Sequence, residues 1–61
     1  MKWTDFLFVD EATGEEFLVE VQDFPYSQKA AFEIAHENFE SPRLIHQISD
    51  IEADWLGLDT Y

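Results

Sequence analysis

The sequence predicts one small α+β domain over residues 1–61, a three-stranded antiparallel sheet in the order β-β-α-β with one main helix and a short C-terminal helical turn. Three observations carry this. Two segments rich in β-branched and aromatic residues, 2–9 and 16–22, flank the polar stretch Asp10-Glu11-Ala12-Thr13-Gly14-Glu15. Residues 27–39 repeat their apolar side chains at helical spacing. At 61 residues and 7.2 kDa the chain supports a single hydrophobic core.

The first two segments read as a hairpin. Gly14 suits the left-handed position that ends a four-residue loop built on a type I turn. Pairing Asp10 with Glu15 sets Phe8 against Phe17, Phe6 against Val19 and Thr4 against Val21, a nearly clean apolar face. The other face then carries Trp3, Asp5, Leu7, Val9, Glu16, Leu18 and Glu20. A three-residue loop pairing Glu11 with Glu15 sets Phe6 against Glu20 and Asp5 against Val21, so the register that segregates charge is preferred.

Asp23-Phe24-Pro25-Tyr26 interrupts the strand pattern, because proline cannot continue a paired ladder. Ser27 is the expected N-cap of a helix reaching about Phe39. On a helical wheel Ala31, Phe32, Ile34, Ala35 and Phe39 share one side, and Lys29, Glu33, His36, Glu37 and Glu40 the other. Ser41-Pro42 ends the helix, and Arg43 to Ser49 reads as a third strand. A right-handed crossover through the helix brings that strand beside the first, antiparallel to it. Ser49-Asp50-Ile51-Glu52 has capping-box spacing before Ala53-Asp54-Trp55-Leu56, with Gly57 as the stop. Leu58-Asp59-Thr60-Tyr61 receives no assignment. One helix covers one sheet face, so the face with Trp3, Leu7, Val9 and Leu18 needs a cover: the C-terminal turn through Trp55 and Leu56, a second copy or a partner.

Lys and Arg total 3 against 14 Asp and Glu, a formal net charge of −11. This exceeds the magnitude of about 2–8 that keeps a small domain soluble. With 46% hydrophobic and 16% aromatic residues, the chain is too apolar for an acidic disordered tail. Three cations cannot neutralise a phosphate track, so direct nucleic-acid binding is not expected. Anionic lipid would repel the chain, and no apolar run approaches the length of a membrane span. The opening apolar stretch, Phe6 to Val9, is too short for a signal-peptide core, and cysteine is absent. The expectation is a cytoplasmic protein, with no membrane partner.

No motif announces catalysis or a cofactor. His36 and His46 lack a second histidine at i+3 or i+4, and His36, four residues before Glu40, reads as a surface hydrogen bond or ion pair. Asp10, Glu11, Glu15 and Glu16 lack the ligand spacing of a calcium loop, so no metal is expected. Ser27, Ser41 and Ser49 serve as caps or turn residues, outside any glycine-flanked elbow. An enzyme would need a perturbed carboxyl or histidine in a pocket.

Charge is the strongest feature. Glu37 and Glu40 fall toward the C-terminal end of the helix and Lys29 in its first turn, each against the dipole, at a cost of about 0.3–1 kcal/mol when exposed. A sequence that sets charge against local stability is often serving its surface. Glu33, Glu37 and Glu40 form one ridge. Asp10, Glu11, Glu15 and Glu16 form a cluster at the hairpin tip, and Glu52, Asp54 and Asp59 a third.

In size, acidity and β-β-α-β order the whole chain resembles the very small acidic proteins of bacteriophages and other mobile elements. The segment from Glu11 to Glu16 followed by an Ala-rich helix, and the ending Leu56-Gly57-Leu58-Asp59-Thr60-Tyr61, are similar to those of small phage proteins. Several anti-CRISPR proteins and inhibitors of uracil-DNA glycosylase or restriction enzymes in this class block host enzymes by imitating DNA. The resemblance implies a non-catalytic DNA-mimic inhibitor acting in the host cytoplasm on the basic, nucleic-acid-binding surface of a host protein. The expected binding residues are Glu33, Glu37, Glu40, Asp10, Glu11, Glu15 and Glu16, with Trp3, Leu7 and Tyr26 as apolar anchors. The alternative is a homodimer that buries the open sheet face and uses its acidity only for solubility.

Overall fold

The computed structural model describes residues 2–61. Its elements are β1 (Trp3–Asp10), β2 (Glu15–Gln22), α1 (Ser27–Asn38), β3 (Pro42–Ile48) and α2 (Asp50–Leu56), with the sheet ordered β2-β1-β3. Both strand pairs are antiparallel. The fold is the expected small α+β arrangement.

The hairpin register is the one that segregates charge: Asp10 opposes Glu15, Phe8 opposes Phe17, Phe6 opposes Val19 and Thr4 opposes Val21. Gly14 closes the loop at φ +79°, and its N–H donates to the Asp10 carbonyl at 2.7 Å. The six paired residues from Thr4 to Val21 on this face are all buried and receive α1 through Ala31 and Ala35, both fully buried. Phe8 and Phe17 stack with centroids 5.5 Å apart, Phe32 meets Phe8 edge-on at 5.2 Å, and Phe39 stacks on Phe17 at 3.8 Å. Ring area buried this way dominates a small core, at about 1.5–3 kcal/mol per phenylalanine.

A bulge between Leu7 and Phe8 adapts β3 to both faces. It places Leu44 opposite Phe8 and His46 opposite Leu7, leaving Ile45 as the extra residue. Leu44 therefore packs on the α1 side, while Ile45 and Ile48 join Leu7 and Leu18 on the other.

That second face is closed by the chain itself. Ala53 of α2 and Leu58 of the tail pack against Leu7, Leu18 and Ile48. Beyond Leu58 the tail runs parallel to the outer edge of β2. Leu18 N–H donates to Asp59 O at 2.9 Å, Tyr61 N–H to Leu18 O at 2.9 Å and Glu20 N–H to Tyr61 O at 3.0 Å. Tyr61 then meets Phe17 and Phe39 edge-on, at 5.7 and 5.2 Å. The four residues without an assignment thus cover an edge that would otherwise present unpaired backbone. Of the face that a homodimer would bury, Leu7 and Leu18 lie beneath α2 and the tail, whereas Trp3 is half exposed.

Two caps were expected, and one forms. Ser49 lies at φ −78°, ψ 162°, its Oγ accepts the Glu52 N–H at 3.2 Å, and Gly57 ends α2 in the left-handed region. Ser27 instead is the first residue of α1. Tyr26 holds the cap position at φ −105°, ψ 19°, with no side-chain cap bond. The cause is the preceding turn: Ser27 N–H donates to Phe24 O at 2.9 Å across Pro25, which already satisfies that amide.

Candidate functional site

Apart from Asp5 and Asp10, every acidic side chain is exposed. Glu33 and Glu37 stand one turn apart on the outer side of α1, and Glu40 follows just past its end. The structure joins this ridge to the hairpin tip. Ser41 N–H donates to Asp10 Oδ1 at 3.0 Å and Glu11 N–H donates to Ser41 O at 2.9 Å, so Glu40 lies next to the segment that holds Glu11. Glu15 and Glu16 occupy the start of β2 at the same end of the sheet. The α1 ridge and the hairpin tip thus meet at Ser41 and Glu11, while Glu16 lies on the sheet face opposite α1. Arg43 Nε meets Glu11 Oε2 at 3.3 Å, the one ion pair among the described residues, and both side chains are well exposed.

Asp10 leaves the surface set. It is 4% exposed and its carboxylate is fully occupied within the fold. Oδ1 accepts Ala12 N–H at 3.2 Å as well as Ser41 N–H, and Oδ2 accepts the Thr13 hydroxyl at 3.3 Å. Its role is to hold the loop and to tie the hairpin to the segment before β3. Leu7 also leaves the set, being buried under α2. Of the expected apolar anchors, Trp3 is half exposed at the far end of β1, and Tyr26 is 70% exposed. Tyr26 lines a shallow cavity of about 350 Å³ with Phe24, Lys29, Ala30 and Glu33, which puts an aromatic ring beside the ridge.

The expected His36 pair with Glu40 is replaced by a ring contact with Phe32, centroids 6.4 Å apart. His46 Nδ1 lies 2.9 Å from the Gln47 carbonyl. No group of three His, Cys, Asp or Glu side chains is gathered to hold a metal ion among the described residues. No helix among them is long and apolar enough to cross a membrane.

A separate carboxylate group lies on the α2 side of the sheet. Asp5 and Glu20 face each other across β1 and β2, an arrangement that like charges disfavour. With Asp50 and Asp54 they line a cavity of about 480 Å³, whose apolar part is Leu18, Ala53 and Leu58. Asp5 is 4% exposed, and its pKa is pushed up to about 6. Burial contributes most, followed by a hydrogen bond to Asp50 and the negative fields of Glu20, Asp50 and Asp54. This group was legible only in part: the hairpin register already pairs Asp5 with Glu20, but nothing in the sequence says where α2 brings Asp50 and Asp54. A carboxyl that keeps its proton up to about pH 6 has the kind of raised pKa a general acid needs. Here the lining supplies no cation and a single hydroxyl, Thr60, to engage a substrate.

Comparison with protein-family models, with curated proteins and with solved structures finds no match to this chain.

Proposed function

We propose that this chain is a non-catalytic inhibitor or regulator that occupies the basic, nucleic-acid-binding surface of another protein, its carboxylates standing where phosphates would. The observation that carries this reading is the row of exposed anions from Glu33 and Glu37 through Glu40 to Glu11 and Glu15, linked where Ser41 meets Glu11 and Asp10, with one exposed ion pair inside it. A fixed row of uncompensated charge steers encounter with a cationic groove, and the exposed Tyr26 and Phe24 beside Glu33 offer the desolvated contact that slows release. Asp10 serves this surface indirectly, by holding the tip against Ser41.

The test begins with the immobilised chain in host lysate at low salt and elution by a salt gradient. The captured protein is then titrated in isolation. Affinity falling linearly with the logarithm of salt concentration, displacement by duplex DNA or by RNA, and at least tenfold weakening in the triple variant E33Q/E37Q/E40Q support the reading. Affinity that is flat with salt and indifferent to nucleic acid overturns it.

A further inference from the structure

The two most exposed large apolar side chains among the described residues lie on the other layer of the molecule. Trp55 is 86% exposed and Ile51 is 74% exposed, and at i, i+4 they share the outer side of α2. Leu56, 47% exposed, borders a cavity of about 210 Å³ between α2 and β3, which is also lined by Leu7, His46, Glu52 and Trp55. None of the α2 residues is buried, so most of the helix's apolar area faces outward. Its ionisable residues are Asp50, Glu52 and Asp54, all acidic. An indole beside carboxylates has the chemistry that receives a guanidinium. The planar cation stacks on the ring while its N–H fork reaches the carboxylates, which a strongly hydrated ammonium does less well. A second copy is the poorer occupant, because it would press this acidic helix and a net charge of −11 against their own likeness.

We propose that the outer face of α2, centred on Ile51 and Trp55 and flanked by Glu52 and Asp54, is a docking surface for an arginine-bearing segment of a protein partner. It lies across the sheet from the α1 ridge and stands independently of the function proposed for that ridge. The probes are an eight-residue arginine peptide and the matched lysine peptide, titrated at low salt against the Trp3→Phe variant, in which Trp55 is the sole indole. The arginine peptide shifts Trp55 fluorescence and binds about two- to fivefold tighter than the lysine peptide. By calorimetry, Trp55→Ala removes that preference, whereas E33Q/E37Q keeps it. Because the indole is so exposed, W55A should keep the parent fold, checked by its amide spectrum. Equal binding of the two peptides, an unperturbed Trp55, or a preference that survives W55A overturns the proposal. So does self-association in sedimentation that W55A abolishes, since it assigns the face to a second copy.

Discussion

Asp5 carries the main electrostatic tension in the molecule, and the sign of its effect follows from its neighbours. From β2 it faces Glu20, from α2 Asp50 and Asp54, and beside it on β3 lies the apolar Ile48. With a folded pKa of about 6 against an ordinary 3.8, the native state binds this proton more tightly than the unfolded chain does. The resulting stabilisation is fully present below about pH 4 and is lost as pH rises through about 6. At 1.36 kcal/mol per unit it amounts to at most about 3 kcal/mol, a large share of the ~3–9 kcal/mol that a chain of this size commands. Asp5→Asn keeps the shape and a donor toward Asp50 while removing the titration. Its thermal midpoint at pH 7.5 should exceed the parent's by several degrees, with the gap closing toward pH 4.5. A pH profile parallel to the parent's would show that Asp5 is not the group responsible. Asp10 gives the contrasting case of a buried carboxylate satisfied by three donors, and an acidic residue in a turn carries no sequence signal that separates it from an exposed one.

Among the elements, what could be read from the sequence is whatever a period or a covalent constraint enforces. The β1–β2 register was legible because a slip of one residue would set Glu20 against Phe6 and Asp5 against Val21. The apolar side of α1 was legible from its spacing. The tail was not, because Asp59 to Tyr61 attach through backbone hydrogen bonds to a strand edge, an interaction open to almost any side chain. Where Tyr61 packs depends on Phe17 and Phe39, which only the fold brings together. The two serine caps show the limit of local reading. Both occupy suitable positions, yet only Ser49 has the extended backbone that aims its hydroxyl into the helix, while the turn at Pro25 draws Ser27 into α1. Ser49→Ala should therefore cost about 0.5–2 kcal/mol and speed amide exchange in α2. Ser27→Ala should change stability by no more than about 0.5 kcal/mol. Equal losses at the two serines would mean that the capping geometry does not distinguish them.

At the scale of the whole molecule, charge acts on folding and on association with opposite signs. Fourteen acidic residues against three cations repel one another in the compact state, and the exposed Arg43–Glu11 pair returns little. Raising ionic strength from 0.01 M to 1 M shortens the screening length from about 30 to about 3 Å, which is short enough to attenuate repulsion between neighbouring carboxylates on α1 and around Asp5. Sodium chloride should accordingly raise the urea midpoint of the isolated chain, while the same titration weakens its hold on a cationic surface. The denaturant slope should stay constant, because screening alters the charge energy rather than the area exposed on unfolding. A urea midpoint that falls with salt would instead mean that specific ion pairs hold the fold together, which would leave fewer anions free for a partner.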